Sequence, residues 1–200
     1  MTVNAIGDYK NNADLMVACR ELGYLSDDML IWDPTYGLGR FWTQWKPELL
    51  MWTDLDASKS PYNNKSTDLL EVWWGCRFDA IVLDPPYKLN GTPSQGGPAS
   101  SDESYGVHEP RTWQERHQLI RDMIDAAHRN LRDGGTLLLK CQNQVCSGQV
   151  RWQTIEFTNH AATLGLRLVD ELMLVGARPQ PSGRRQVHAR RNYSSLLVFK

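Results

Sequence analysis

No run of apolar residues in this chain approaches the roughly 20 that cross a bilayer, and Met1-Thr2-Val3-Asn4 lacks the basic and apolar regions of a secretory signal. The expectation is a soluble, cytoplasmic protein with no membrane partner. Cysteine is scarce, with Cys19, Cys76, Cys141 and Cys146 the 4 in 200 residues, too few for a small disulfide framework. Cys141 and Cys146 have no second pair or neighbouring His to complete a zinc set. No metal is expected, and the thiols read as reduced and buried. No Pro-Cys dipeptide occurs. Acid is missing from one region: residues 176–200 hold Arg178, Arg184, Arg185, Arg190, Arg191 and Lys200 without an Asp or Glu. That stretch carries +6 in a chain of net −1, so the preceding residues carry −7. One basic segment on an acidic body suggests a single face that meets a polyanion.

What is present fits one α/β domain spanning residues 1–200. A chain of this length buries about 70% of its unfolded surface and needs no staple. The hydrophobic fraction of 41% and charged fraction of 22% exclude wholesale disorder, collagen and coiled coil. Apolar residues recur at helical spacing over residues 13–25, 113–131 and 155–164. Short apolar runs at 29–32, 49–52, 79–83, 135–140, 171–175 and 194–199 read as strands. Continuously apolar strands separated by helices indicate a mainly parallel sheet covered on both faces. The last two strands have no helix between them and are expected to pair antiparallel at one edge. Residues 88–112, rich in Gly, Pro and Ser, form a long loop leaving the carboxyl end of a strand, where open α/β sheets bind ligands.

Three early strands end on a carboxylate, at Asp33, Asp54 and Asp84. In a parallel sheet these ends share one edge, so the three acids are expected to converge. Each acid alone could be a simple turn or cap residue. Gly37 and Gly39 let the backbone after the first strand approach a ligand closely. Asp54 follows about 15 residues later, near where dinucleotide-type folds hold a ribose acid. Asp84-Pro85-Pro86-Tyr87 is the sharpest signal: two prolines stiffen the backbone and remove N–H donors, leaving carbonyls expected to be unopposed acceptors. An ionised Asp84 is acceptor-only. With the flat face of Tyr87, the tetrapeptide can accept hydrogen bonds from an amino group while stacking its planar ring, as on a nucleobase.

Asp33-Pro34-Thr35-Tyr36-Gly37-Leu38-Gly39, Asp54 and Asp84-Pro85-Pro86-Tyr87 resemble the glycine loop, ribose acid and catalytic tetrapeptide of S-adenosylmethionine-dependent amino-methyltransferases. The likeness is to short phage- or actinobacterial-type DNA methyltransferases acting on adenine N6 or cytosine N4. It implies a Rossmann-like class I methyltransferase fold with a seven-stranded, mainly parallel sheet and an antiparallel last strand. S-adenosylmethionine is the implied cofactor. Asp33, with the loop of Pro34, Thr35, Tyr36, Gly37 and Gly39, would hold its methionine part, Asp54 its ribose and Asp68 its adenine. Asp84 and the carbonyl of Pro85 would hold the target amine in the rigid Pro85-Pro86 rim, and Tyr87 would stack on the flipped base. The chain has no room for the separate target-recognition domain that many such enzymes carry. Specificity then falls to loop 88–112, to basic loop 177–192, or to a protein partner.

The implied reaction is methyl transfer to the exocyclic amine of a DNA base, adenine N6 preferred. An RNA base amino-methyltransferase is the alternative within enzymes, and a cofactor-binding subunit needing a partner is the alternative outside them. Carbon-5 cytosine methylation would want a cysteine nucleophile in a Pro-Cys pair, which is absent. Arg178, Arg184, Arg185, His188, Arg190 and Arg191 are the expected phosphate contacts. Trp32, Trp52, Trp73 and Trp74 read as core; Trp113 and Trp152 read as contacts near the crevice.

Overall fold

Asn11 opens the first helix of the computed structural model, which describes residues 2–59, 66–75, 77–89, 112–176 and 186–200. Its side chain accepts from the N–H groups of Ala13 and Asp14, and the Asp14 carboxylate accepts in return from the Asn11 N–H. This capping box starts α1 (Asn12–Glu21). The helix ends earlier than the expected residue 25 because Gly23 turns left-handed at φ +75° and the chain folds back onto the last carbonyls.

The expected runs form β1 (Ile31–Asp33), β2 (Leu50–Trp52), β3 (Phe78–Leu83), β4 (Leu131–Cys141), β7 (Leu168–Val175) and β8 (Tyr193–Phe199). They make one sheet in the order β2-β1-β3-β4-β8-β7. The first four strands are parallel, and β8 lies antiparallel between β4 and β7. The sheet has six strands among the described residues instead of the expected seven. Between β2 and β3 the described chain instead turns at Asp68, whose side chain takes the Leu70 N–H and whose carbonyl takes those of Glu71 and Val72. That competes locally with strand formation.

A further pair, β5 (Gln144–Cys146) and β6 (Gln149–Arg151), forms a hairpin across Ser147 and Gly148, both at positive φ. This element was not foreseen. Helices α2 (Trp113–Asn130) and α3 (Gln153–Thr163) meet the sequence-derived bounds within two residues. Ile81, Leu83, Leu137 and Leu139 face α2 and α3 through Ile120, Ile124 and Phe157. Ala80, Val82 and Leu138 face α1 and Trp42 on the other side. Each such buried large side chain contributes about 1.5–3 kcal/mol.

Trp32 is buried as expected, but Trp73 is 74% exposed. It follows the Asp68 turn rather than lying on a strand, so no sheet face takes up its ring. Trp74 is partly exposed and meets Trp32 edge-on at 5.9 Å. Cys19 and Cys141 are buried free thiols, Cys146 is half-buried, and Cys76 lies outside the described residues. Burial pushes the Cys19 thiol up to about 12. No helix among the described residues is long and apolar enough to cross a membrane.

Candidate active site

In the sheet β1 has β2 on one side and β3 on the other, so the order in which parallel strands are added reverses between β1 and β3. Loops leaving the carboxyl ends of two such strands diverge and open a crevice. Asp33 ends β1 and Asp84 directly follows β3, so both motifs meet there.

A single hydroxyl joins them. The Asp84 N–H donates to Thr35 Oγ1 at 2.8 Å, and Thr35 donates through Oγ1 to Asp33 Oδ1 at 3.2 Å. Asp33 also accepts the Thr35 N–H at 3.0 Å and the Trp42 indole N–H at 2.8 Å. Its side chain therefore points inward and is buried. Burial pushes its carboxyl up to about 7, against the opposing pull of these hydrogen bonds, and the nearby Asp84 adds to the rise. The Asp33 carboxylate thus organises the glycine turn from beneath.

Above it, residues 34–39 fold over the strand ends. Gly37 and Gly39 are left-handed at φ +54° and +66°. A Cβ on Gly39 would sit 2.6 Å from the Tyr36 hydroxyl, whereas at Gly37 the surroundings are open. The Tyr36 ring stacks on Trp52 at 5.3 Å, and Lys46 caps the Trp52 ring at 3.8 Å. At the end of β2, Asp54 accepts the Gly37 N–H at 2.7 Å through Oδ2 and the Asp56 N–H at 2.8 Å through Oδ1. Each carboxylate oxygen keeps a further lone pair, so a vicinal diol could still donate to both. Thr67 N–H donates to the Asp54 carbonyl at 3.0 Å, which brings neighbouring Asp68 to the same strand end. An open glycine turn beside a diol-compatible acid fits a nucleoside-containing cofactor such as S-adenosylmethionine.

Pro85 and Pro86 are buried, and Asp84 and Tyr87 are half-buried. One expectation needs correction: the Pro85 carbonyl is not unopposed, because the Tyr87 N–H donates to it at 2.7 Å. Rigid prolines close a three-residue turn there. A carbonyl has two lone pairs, so an amine can still donate to the second.

Sequence reasoning missed the residues that hold the tetrapeptide. Gln144 and Gln153 both donate their side-chain amides to the Tyr87 carbonyl, at 2.8 and 2.7 Å. Their oxygens accept the N–H groups of Leu89 and Gln142 respectively. Lys140, on β4, is also unforeseen; its ammonium is buried and hydrogen-bonded to Asn12. Isolated glutamines carry no motif signal, whereas the interrupted apolar run ending at Lys140 was a signal available in the sequence.

Arg151 stacks over Trp113 at 3.9 Å, and Arg191 stacks over Trp152 at 4.6 Å. The hairpin touches the basic segment through His188 Nε2 and the Gly148 carbonyl, 2.9 Å apart, and Arg190 is exposed. Gln142 donates to the Arg191 carbonyl at 3.2 Å. Arg190, Arg191 and His188 thus lie on segments linked to the tetrapeptide. Arg178, Arg184, Arg185 and loop residues 90–111 lie outside the described residues.

No protein-family model matches the chain, and no curated protein matches it. Solved structures do. The magnesium protoporphyrin IX methyltransferase of Synechocystis, with SAH bound, aligns over 94% of this chain and 80% of its own at TM-score 0.57 and 13% identity. NSun6 of Pyrococcus horikoshii, with SFG, aligns over 94% of this chain and 50% of its own at TM-score 0.57 and 16% identity. A TehB-like SAM-dependent methyltransferase of Corynebacterium glutamicum aligns over 96% and 89% at TM-score 0.52 and 16% identity. The mixed sheet with its antiparallel penultimate position is therefore the Rossmann-like fold that these solved methyltransferases also have.

Proposed function

We infer that this protein transfers a methyl group from S-adenosylmethionine to the exocyclic amine of a DNA base, with adenine N6 preferred over cytosine N4. The observation that carries this reading is the union of a rigid acceptor rim, Asp84 to Tyr87, with the glycine turn through Thr35 at the switch point of the sheet.

The sulfonium supplies an electrophilic methyl. The protein's part is to hold the amine. Asp84 and the free lone pair of the Pro85 carbonyl accept the two amine protons, which favours a pyramidal nitrogen with its lone pair directed at the methyl. The nitrogen would take the methyl from bound S-adenosylmethionine, leaving the thioether product, and would release one proton to the Asp84 carboxylate. Alignment of this kind supplies up to ~7–11 kcal/mol. Tyr87 offers a face to the extruded base, and base–aromatic stacking returns ~1–3 kcal/mol of the flipping cost. The turn of Pro34, Thr35, Tyr36, Gly37 and Gly39, held from beneath by Asp33, binds the methionine part, Asp54 the ribose and Asp68 the adenine. Arg190 and Arg191, the latter stacked on Trp152, supply phosphate contacts together with Arg178, Arg184, Arg185 and His188.

The test is transfer of labelled methyl to unmethylated DNA and, separately, to RNA, with nucleoside analysis of the product. N6-methyladenine or N4-methylcytosine in DNA is the expected result. Label on RNA alone moves the substrate to RNA, and label on neither refutes nucleic-acid methylation by this chain alone. Asp84→Ala is expected to abolish transfer while calorimetry still detects cofactor binding; equal loss of both would assign Asp84 to the cofactor site or the fold.

A further inference from the structure

Lys140 is 1% exposed, the one buried lysine among the described residues, and the reaction outlined above makes no use of it. A buried ammonium is costly unless it is paired, so its surroundings bear on its purpose. Parallel pairing of Leu83 with Leu139 sets Asp84 and Lys140 side by side at the ends of β3 and β4. Both follow residues of alternate facing: Val82 and Leu138 pack toward α1, so Asp84 and Lys140 point to that same side. There the ammonium meets the Asn12 side-chain carbonyl at the start of α1 and lies 5.6 Å from the centre of the Phe41 ring.

Among the described residues, charged or titratable groups acting at this corner include Asp84 at the end of β3, Asp33 at the end of β1 and Cys141 beside Lys140 on β4. From α1 the contact is the neutral Asn12, and from the short 3-10 turn Arg40–Trp42 it is the neutral ring of Phe41. Burial pulls the Lys140 ammonium below the usual lysine range, and the Asp84 carboxylate acts in the opposite sense. Asp33, for its part, feels Asp84 as a like charge. Lys140 is thus a buried cation set beside Asp84 by strand register, at the corner that also holds Asp33.

We propose that Lys140 is a positioning residue for the proposed transfer: pinned by Asn12 beside Asp84, its ammonium favours the ionised, acceptor-only form of that carboxyl. The inference rests on the proposed function for its use of Asp84, but the electrostatic link itself can be measured without turnover. A merely structural lysine would fill space and satisfy Asn12 without affecting Asp84.

The experiment is a carboxyl-carbon NMR titration of Asp84 in the full chain, with the signal assigned by its loss in Asp84→Asn. Lys140→Met is expected to raise the Asp84 midpoint by about one pH unit or more, a tenfold change in its ionisation constant. Asn12→Ala keeps the lysine but frees it, and is expected to move the midpoint the same way by less. That variant also decides the matter if Lys140→Met fails to fold. An unmoved Asp84 midpoint in the folded variants overturns the proposal. In an active enzyme, the acid limb of the kcat profile is expected to move with the NMR midpoint, with cofactor affinity unchanged. A uniform loss of kcat at every pH would assign Lys140 to the fold and overturn the proposal. A wild-type protein that methylates no nucleic acid would defeat the proposed function, while the NMR result would still decide the link between Lys140 and Asp84.

Discussion

Asp33 is buried with three hydrogen-bond donors aimed at it, and its carboxyl still rises to about 7. Because the folded value lies above the ordinary 3.8, its contribution to stability is complete below about pH 4 and is lost as pH rises through about 7. The full swing is of order 4 kcal/mol at ~1.4 kcal/mol per pH unit. Thermal unfolding from pH 4 to 8 is expected to show the wild type losing stability relative to Asp33→Asn, with the difference levelling above about 7. Parallel curves would mean that Asp33 is ionised throughout. Gly39 is a second residue whose chemistry is local. Gly39→Ala adds left-handed strain of about 1–2 kcal/mol and drives its Cβ into Tyr36, which must leave its stack on Trp52. Weaker cofactor binding is expected in calorimetry, with helix content unchanged by circular dichroism; unchanged affinity would place the turn away from the cofactor.

The hairpin of β5 and β6 shows how a short element can govern a site. Gln144, on β5, and Gln153, in the first turn of α3, converge on one carbonyl, that of Tyr87. Helix α3 is itself tied to α2 through Glu156, which pairs with His117 Nδ1 at 2.6 Å and with Arg121. The Tyr87 backbone is thus referred to two helices and a hairpin, which restricts where its ring can sit. Gln153→Glu places an acceptor against the Tyr87 carbonyl in place of a donor. It is expected to lower kcat roughly 10- to 100-fold, the scale on which small misplacement near the reacting atoms acts, with cofactor affinity unchanged. Full activity in that variant would show that the Tyr87 ring is positioned by its own packing.

At the scale of the whole molecule, charge is divided as the sequence implies. The acidic body and the basic segment 176–200 differ in sign, and the described part of that segment meets the hairpin at His188 and Trp152 at Arg191. If this face grips phosphates, Arg190→Ala with Arg191→Ala is expected to weaken DNA binding and to reduce the slope of log affinity against log salt by about 1–2. An unchanged slope in a salt titration would put these two arginines off the DNA path.

Much of this architecture was legible in the chain itself. Apolar runs ending at Asp33, Trp52 and Leu83 specified the parallel strands because a strand buried on both faces must be apolar throughout. Asp84-Pro85-Pro86-Tyr87 announced its own stiffness through its prolines. The hairpin was harder to see, since its strands are three residues each and too short for a period to register, although Ser147-Gly148 was a turn signal. Trp73 misled because composition cannot tell an apolar ring in a turn from one on a strand. The Thr35 bridge, the glutamine pair on Tyr87 and the placement of Lys140 beside Asp84 belong to the tertiary structure alone. Each joins residues far apart in sequence, and only strand order and register decide which side chains meet across such distances.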